Sequence, residues 1–392
     1  MSTRSRQAPN LLWLTDSPRD RPITPSILPP QTLPIVVQRQ SPTPGLLVTP
    51  QATTADVISF DLAPTPTIFV PAHADTEFGI QIDGCTHDPV RSVPVAKSLG
   101  FTWIKQQVRW GDMQQRPGHI DWSCIDRVMA AAQQAGLRVL LSITTAPAYM
   151  RHLTHDTLGL PDDVAQFGYF VDALMRRYRG QVQALELWNE PHLAAESSDG
   201  INPMRYAVLA AIGAGVAKQI DPGILIISAA LAPVEFESIW THVGDTSFLT
   251  DAMEFGLLDH VDCIGAHANG PPGVGDLDLV ASRYYSLTLQ THPICATELG
   301  LPLAVRGRAP RGFEWAMGIT QDEQTQTLLS SLQWARVSGY VRLVIVWNLD
   351  VYTSLGPDDF NAPYALWRES DGWQSEALPT IRNWLTTTAY QP

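Results

Sequence analysis

The chain has 392 residues, of which 45% are hydrophobic, so it can bury one large core and is not an intrinsically disordered protein. Its formal net charge of -13 and the lack of any Lys/Arg run exclude a basic nucleic-acid-binding surface. No run of about 18 apolar residues occurs, so no apolar membrane span is predicted.

Residues 1–75 are rich in Pro, Thr, Ser and Gln and cannot bury enough apolar surface to offset the entropy of ordering. They predict a Pro/Thr-rich tail or linker that is largely disordered. The first residues lack the apolar centre of a signal peptide. Localisation therefore stays open between the cytoplasm and an exported protein whose signal is missing from this sequence, and the tail slightly favours an extracellular or cell-surface protein.

A regular alternation of strands and amphipathic helices fills residues 76–392. The second helical stretch, residues 121–136, repeats apolar residues at intervals of three and four and ends at a glycine. Strands that are apolar on both faces and separated by helices predict parallel crossovers. The predicted strands begin near Phe78, Phe101, Arg138, Ala184, Ile224, Asp262, Pro293 and Leu343.

Eight such units over roughly 310 residues predict an α/β fold, a (β/α)₈ TIM barrel, as one domain over residues 76–392. The main alternative is an open, doubly wound sheet, which predicts a glycine-rich fingerprint after the first strand. Residues 79–84 contain no GxGxxG pattern, so the barrel is favoured.

The cysteines are few and widely spaced. Cys85, Cys124, Cys263 and Cys295 form no CxxC pair and no zinc-ligand spacing. Their separation is unlike a disulfide framework, so they are predicted to be small, buried, unpaired apolar residues.

Two glutamates end the predicted strands four and seven. Glu190 follows the run that begins at Ala184, and Glu298 follows the run that begins at Pro293. The carboxyl ends of barrel strands carry catalytic residues, and two facing carboxylates about 5–5.5 Å apart are the apparatus of a retaining glycosidase. Each glutamate alone has a plainer interpretation. Glu190 could stabilise the start of the next helix, and Glu298 could be a solvated loop charge.

The residues around both glutamates resemble motifs of clan A glycoside hydrolases, with families 39 and 5 as the nearest comparisons. Trp188-Asn-Glu-Pro is similar to the strand-four acid/base motif, and Thr297-Glu-Leu-Gly to the strand-seven nucleophile motif. The region from Leu99 to Trp122 is similar to strand two of that clan. The resemblance covers residues 78–385.

The resemblance implies a role for each residue of these motifs. Glu190 would be the acid/base, with a raised pKa, and Glu298 the ionised nucleophile. Asn189 would hydrogen-bond the sugar 2-hydroxyl. His267 matches a strand-six histidine of the family, whereas Asn269 stands where a tyrosine commonly holds the nucleophile.

Cations and aromatic residues complete the predicted site. The family usually has an arginine at the position of Lys105. Arg109 lies four residues further along, on the same face of the predicted strand, and is a candidate to hold Glu298 instead of Lys105. Pairing of these cations with Glu186 for structure alone is an equal alternative. The resemblance implies that Trp347 forms the sugar platform. Trp110 is predicted as a further sugar contact. It belongs to a set of aromatic residues on predicted loops at the same end, of which some could form outer sugar contacts while most single loop aromatics are packing residues: Trp110, Tyr149, Trp315, Tyr352 and Trp367.

These observations predict a retaining glycoside hydrolase that cleaves β-linked bonds of an oligosaccharide or polysaccharide without metal or cofactor. Long loops over residues 301–319 and 351–374 would close the site into a pocket and favour exo-cleavage. The departures at Lys105 and Asn269 keep open a non-catalytic carbohydrate-binding barrel. A metal-dependent barrel enzyme, such as an isomerase or hydrolase, is the third hypothesis, for which only His267 is a good ligand candidate.

Overall fold

The computed structural model describes residues 75–388 except 152–157, 198–199, 235–241 and 357, and only the backbone of residue 388. Residues 1–74 of the predicted tail lie outside the described residues. Eight parallel strands form one sheet in the order β5-β4-β3-β2-β1-β8-β7-β6. Parallel bridges from Ile227 to Cys263 and from Leu231 to Ala266 join the two edge strands. The sheet therefore closes, and the predicted (β/α)₈ barrel is confirmed.

The strands agree with the predicted apolar runs to within a few residues. Their bounds are β1 Glu77–Ile82, β2 Trp103–Arg109, β3 Arg138–Thr144, β4 Ala184–Asn189, β5 Leu225–Ala230, β6 Ile264–Ala268, β7 Ile294–Leu299 and β8 Val341–Val346. A short antiparallel hairpin follows, formed by β9 Trp367–Arg368 and β10 Trp373–Gln374.

Helices connect successive strands and pack on the outside of the barrel. Their bounds are α1 Pro89–Ser98, α2 Trp110–Met113, α3 Ser123–Ala135, α4 Ala165–Arg177, α5 Pro203–Ile220, α6 Asp245–Glu254, α7 Leu277–Leu287, α8 Gln321–Ser338 and α9 Ala377–Thr388. Local chemistry sets several of these ends. A capping box between Thr320 and Glu323 starts α8, and Gly136, with φ of 63°, ends α3. No helix among the described residues is long and apolar enough to cross a membrane.

The interior of the barrel is apolar at its base and polar at its mouth. Trp103, Leu140 and Ile345 belong to the apolar cluster at the base. One step along the alternation of the strands, the buried charged residues Lys105 and Glu186 replace apolar ones. The charged residues of the barrel interior therefore lie toward the carboxyl ends of the strands.

Both pairs of cysteines form disulfides, so the prediction of unpaired cysteines was wrong. Cys85, after β1, is bonded to Cys124 at the start of α3, with Cα atoms 5.3 Å apart. Cys263, just before β6, is bonded to Cys295 in β7, with Cα atoms 5.9 Å apart. The partners are 39 and 32 residues apart in sequence, so each pair becomes close only in the folded barrel.

Candidate active site

Glu190 reaches the barrel mouth through an irregular end of β4. Trp188 and Glu190 have φ angles of 91° and 42°, in the region that L-residues rarely adopt. This break in the alternation sends the Trp188 ring into the core, edge-on to Phe167. The Glu190 backbone N–H is held by the carbonyl of Ala230 at 3.0 Å, and its carboxylate stays partly exposed.

Glu298 lies at the end of β7, where a register shift against β8 spans Ala296 and Leu299. Two donors hold its carboxylate. Lys105 Nζ donates to Oε1 at 3.2 Å, and Asn269 Nδ2 donates to Oε2 at 3.0 Å. Asn269 thus makes the contact that the resemblance assigns to a tyrosine, and Lys105 makes the one that it assigns to an arginine.

His267 links the two glutamates. Its Nδ1 lies 2.7 Å from Glu190 Oε1 and 3.6 Å from Glu298 Oε2. One ligand atom from each of the three residues falls within 4.8 Å of the others, so the two carboxylates approach within that distance. Nε2 of His267 is buried with no hydrogen-bond partner among the described residues. Burial lowers the pKa of His267, but the charge of Glu298 and the hydrogen bond and charge of Glu190 raise it more, so the charged imidazole is favoured and its Nδ1 donates to Glu190.

Burial and neighbouring charges shift the pKa values of this cluster. Burial raises the pKa of Glu298, and the charges of Glu190 and Glu186 raise it further, against the opposite effects of His267 and Lys105. Burial also raises the pKa of Glu190, but the hydrogen bond and charge of His267 outweigh it and leave the value lowered. The resemblance implies the reverse order. The difference arises because His267 donates to Glu190 and not to Glu298.

Lys105 balances the buried charge beneath the two glutamates. Its ammonium is wholly buried, 3.1 Å from Glu186 and 3.2 Å from Glu298. Burial lowers the pKa of Lys105, but the two carboxylates raise it more, so the group stays cationic. The cation also argues against a metal here. Glu190, His267 and Glu298 are spaced as metal ligands, but a bound ion would lie beside this ammonium.

Two residues of the predicted site are placed differently. Arg109 does not hold Glu298, because it pairs with Asp112 at 2.8 Å and stays partly exposed. It lines a neighbouring cavity instead. Trp110 is fully buried and stacks on Phe170 with ring centroids 5.0 Å apart, so its prediction as a sugar contact was wrong. The chain enters α2 directly at Trp110, and this turn directs the ring under α4.

Trp347 lies at the end of β8, only 8% exposed, and a cis peptide bond joins it to Asn348. Its role as a sugar platform stays a prediction. A cavity of about 570 Å³ opens beside the ends of β1 and β2. Among the residues that line this cavity are Gln107, Arg109, Tyr352 and Asn361.

Two polar residues beside the site, Tyr364 and Glu196, are not among the residues predicted from the sequence. Tyr364 comes from the long segment after β8 and donates its hydroxyl to the Asn269 carbonyl at 2.6 Å. Glu196, seven residues after Asn189, is buried within hydrogen-bond reach of the Asn189 amide and of Thr144. The only available signal was position, since both follow strand ends at the mouth of the barrel.

The fold is similar to that of known glycoside hydrolases. No family model matches the sequence, and a comparison with curated protein sequences finds no match. Among solved structures, a family 39 glycoside hydrolase from Bacteroides cellulosilyticus WH2 superposes with a TM-score of 0.62 at 15% identity, over 82% of this chain and 66% of that one. The family 39 enzyme from Xanthomonas axonopodis pv. citri gives 0.55 at 17%, over 81% and 67%.

The exo-β-1,4-mannosidase Op5Man5 from Opitutaceae bacterium strain TAV5 gives a TM-score of 0.58 at 15% identity, over 83% of this chain and 62% of that one. This chain therefore spans between 62% and 67% of the length of these three proteins. At such identities the likeness shows the fold alone. The resemblance to families of clan A is confirmed at that level.

Proposed function

We propose that the protein is a retaining glycoside hydrolase in which Glu190 is the acid/base and Glu298 the nucleophile. The observation that carries the proposal is the approach of the two carboxylates to within 4.8 Å at the mouth of the barrel. Inverting enzymes keep their carboxyl groups about 6.5–9.5 Å apart to admit a water molecule, whereas retaining enzymes need about 5–5.5 Å. The spacing therefore supports double displacement.

The proposed reaction has two steps. Glu190 gives a proton to the leaving oxygen while a Glu298 oxygen attacks the anomeric carbon, which forms a glycosyl-enzyme ester and releases the alcohol. Glu190, now ionised, then takes a proton from water as the water oxygen displaces Glu298. A leaving oxygen positioned at Glu190 would replace its bond to His267, which is the contact that lowers its pKa in the free site.

Lys105 and Asn269 would hold Glu298 in position for attack. Their two hydrogen bonds fix both carboxylate oxygens, and the ammonium favours the ionised form. Trp347 would stack on the sugar at the reacting position. The cavity lined by Arg109 would accept further sugar units.

A β-linked oligosaccharide or polysaccharide is the proposed substrate. One structural neighbour is named as an exo-β-1,4-mannosidase. Its name gives a β-linkage for the substrate of that protein, and we propose a β-linked substrate for this chain as well. A non-catalytic carbohydrate-binding barrel is less favoured. The departures that suggest it, Lys105 and Asn269, both keep a hydrogen bond to Glu298.

The test is a survey of aryl β-glycosides with the full chain. We expect turnover on at least one glycoside, with kcat lowered at least ~10⁴-fold in Glu298→Ala because the nucleophile is gone. Azide should restore turnover and yield the α-glycosyl azide. Glu254→Ala, which removes an exposed glutamate of α6, is the matched control and should keep wild-type kcat. Full activity in Glu298→Ala would contradict the proposal.

A further inference from the structure

The Asn189 side chain is held from one side only. Its Nδ2 lies 3.5 Å from Glu196 Oε1, at the limit of a hydrogen bond. Its Oδ1 is buried and has no hydrogen-bond partner within the part of the chain that the structure describes. The carbonyl oxygen of the Asn189 amide, next to Glu190 in the chain, is therefore a buried acceptor that receives no hydrogen bond from the described residues.

Glu196 is fixed at the end of the turn that follows β4. The indole N–H of Trp188 donates to the Glu196 carbonyl at 3.2 Å, and the Thr144 hydroxyl donates to the second carboxyl oxygen at 3.3 Å. The side chain is almost fully buried. Its carboxyl group can therefore change its protonation state without moving away from Asn189.

The surroundings of Glu196 favour a neutral carboxyl group. Burial raises its pKa to about 8, and the charge of Glu190 raises it as well. Thr144, Arg109 and Asn189 face it with smaller opposite effects. A neutral carboxyl has one O–H donor, whereas a carboxylate only accepts.

The protonation state decides which end of the amide faces Glu196. The two ends of an asparagine amide are nearly isosteric, so a half-turn fits the same space. A protonated Glu196 donates to Oδ1 and turns the NH₂ group away from itself, which is a half-turn from the orientation in which Nδ2 faces Glu196 Oε1 and Oδ1 has no partner among the described residues. An ionised Glu196 accepts from the NH₂ group and turns Oδ1 away.

We propose that Glu196 is a positioning residue whose protonated carboxyl group holds Asn189 with its NH₂ group toward the bound sugar. The inference rests on the proposed function and on the contact between Asn189 and the sugar 2-hydroxyl that the family resemblance implies, with Glu298 beside that hydroxyl. A hydroxyl has one proton, and the Glu298 carboxylate can only accept it. The second partner of the hydroxyl oxygen must therefore donate, which only the NH₂ end of Asn189 can do.

The test compares an aryl glycoside with its 2-deoxy analogue in Glu196→Ala, Glu196→Gln and Asn189→Ala. The readout is the ratio of kcat/KM for the two substrates, because a general loss of fold would lower both values. We expect the ratio to fall at least ~10-fold in Glu196→Ala and in Asn189→Ala. The amide of Glu196→Gln also donates, so this variant should keep the wild-type ratio. Glu254→Gln is the control for a surface change.

The pH dependence separates orientation from simple packing. In the wild type the ratio should be constant up to about pH 7 and fall as the pH passes 8, because Glu196 then loses its proton. In Glu196→Gln it should stay flat over the same range. An unchanged ratio in Glu196→Ala, or a flat wild-type profile to pH 9.5, would overturn the proposal.

An infrared measurement makes the result independent of turnover. The difference spectrum of wild type minus Glu196→Gln should show the carbonyl band of a protonated carboxyl group at pH 7, lost with a midpoint near pH 8. Absence of that band at pH 7 overturns this inference whatever the enzyme hydrolyses. A wild type that shows the band but cleaves no glycoside would contradict the proposed function instead.

Discussion

Single residues set the charge balance of the site. Three glutamates, at positions 186, 190 and 298, lie around Lys105 and His267. Such a cluster is stable only if its cations stay in place, because each buried carboxylate depends on them for compensation. Lys105 is wholly buried between Glu186 and Glu298, so its loss should leave two carboxylates without their cation.

Lys105→Met should damage both stability and activity. It leaves Glu186 and Glu298 buried without their cation, at a cost of about 3–5 kcal/mol in the free energy of unfolding. The pKa of Glu298 should rise further, so kcat should fall at least ~100-fold at neutral pH. Urea denaturation and initial rates measure the two effects. Lys97→Met, an exposed change in the last turn of α1, is the control. Wild-type stability in Lys105→Met would contradict this charge balance.

At the scale of elements, the two disulfides differ in exposure. Cys263 and Cys295 are wholly buried between β6 and β7. Cys85 is exposed and Cys124 is half-buried, so their bond is open to solvent beside the cavity of the barrel mouth. Thiol–disulfide exchange needs access of the attacking thiolate to sulfur, so the two bonds should respond differently to a reductant.

We expect mild reduction of the native protein to release the thiols of Cys85 and Cys124 only. The thiols of Cys263 and Cys295 should appear only when the protein is also denatured. Thiol titration with peptide mapping measures this order, and untreated, denatured protein is the control and should show no thiol. Removal of the buried bond by paired Cys→Ala changes should lower the free energy of unfolding by about 2–5 kcal/mol. Simultaneous reduction of both bonds in native buffer would contradict the assigned burial.

Elements also show where the sequence was sufficient. Apolar runs separated by amphipathic helices were enough to predict the strands of the barrel. The barrel in turn predicted that the ends of β4 and β7 lie at its mouth. The direction of Glu190 did not, because a φ of 91° at Trp188 breaks the alternation on which such a prediction depends. Trp110 was misplaced because the boundary between β2 and α2 lies at that residue, and a shift of one position moves a side chain from mouth to core.

At the scale of the whole molecule, contacts between distant segments were the hardest to predict. The pairing of Cys263 with Cys295 requires the register of two neighbouring strands. Glu196 and Tyr364 have no motif of their own, and their importance appears only when the loops after β4 and β8 lie over the same mouth. Sequence periodicity gives the elements, whereas the closure of the ring decides which side chains meet.

Glu190 and Glu298 are 108 residues apart in sequence, and closure of the barrel brings them together. The stereochemistry of the first-formed sugar tests this juxtaposition most directly. Time-resolved proton NMR during hydrolysis of an aryl β-glycoside should show the β-anomer first, with the α-anomer appearing only by mutarotation. Initial release of the α-anomer would mean a single displacement by water, and would contradict the double displacement proposed for these two glutamates.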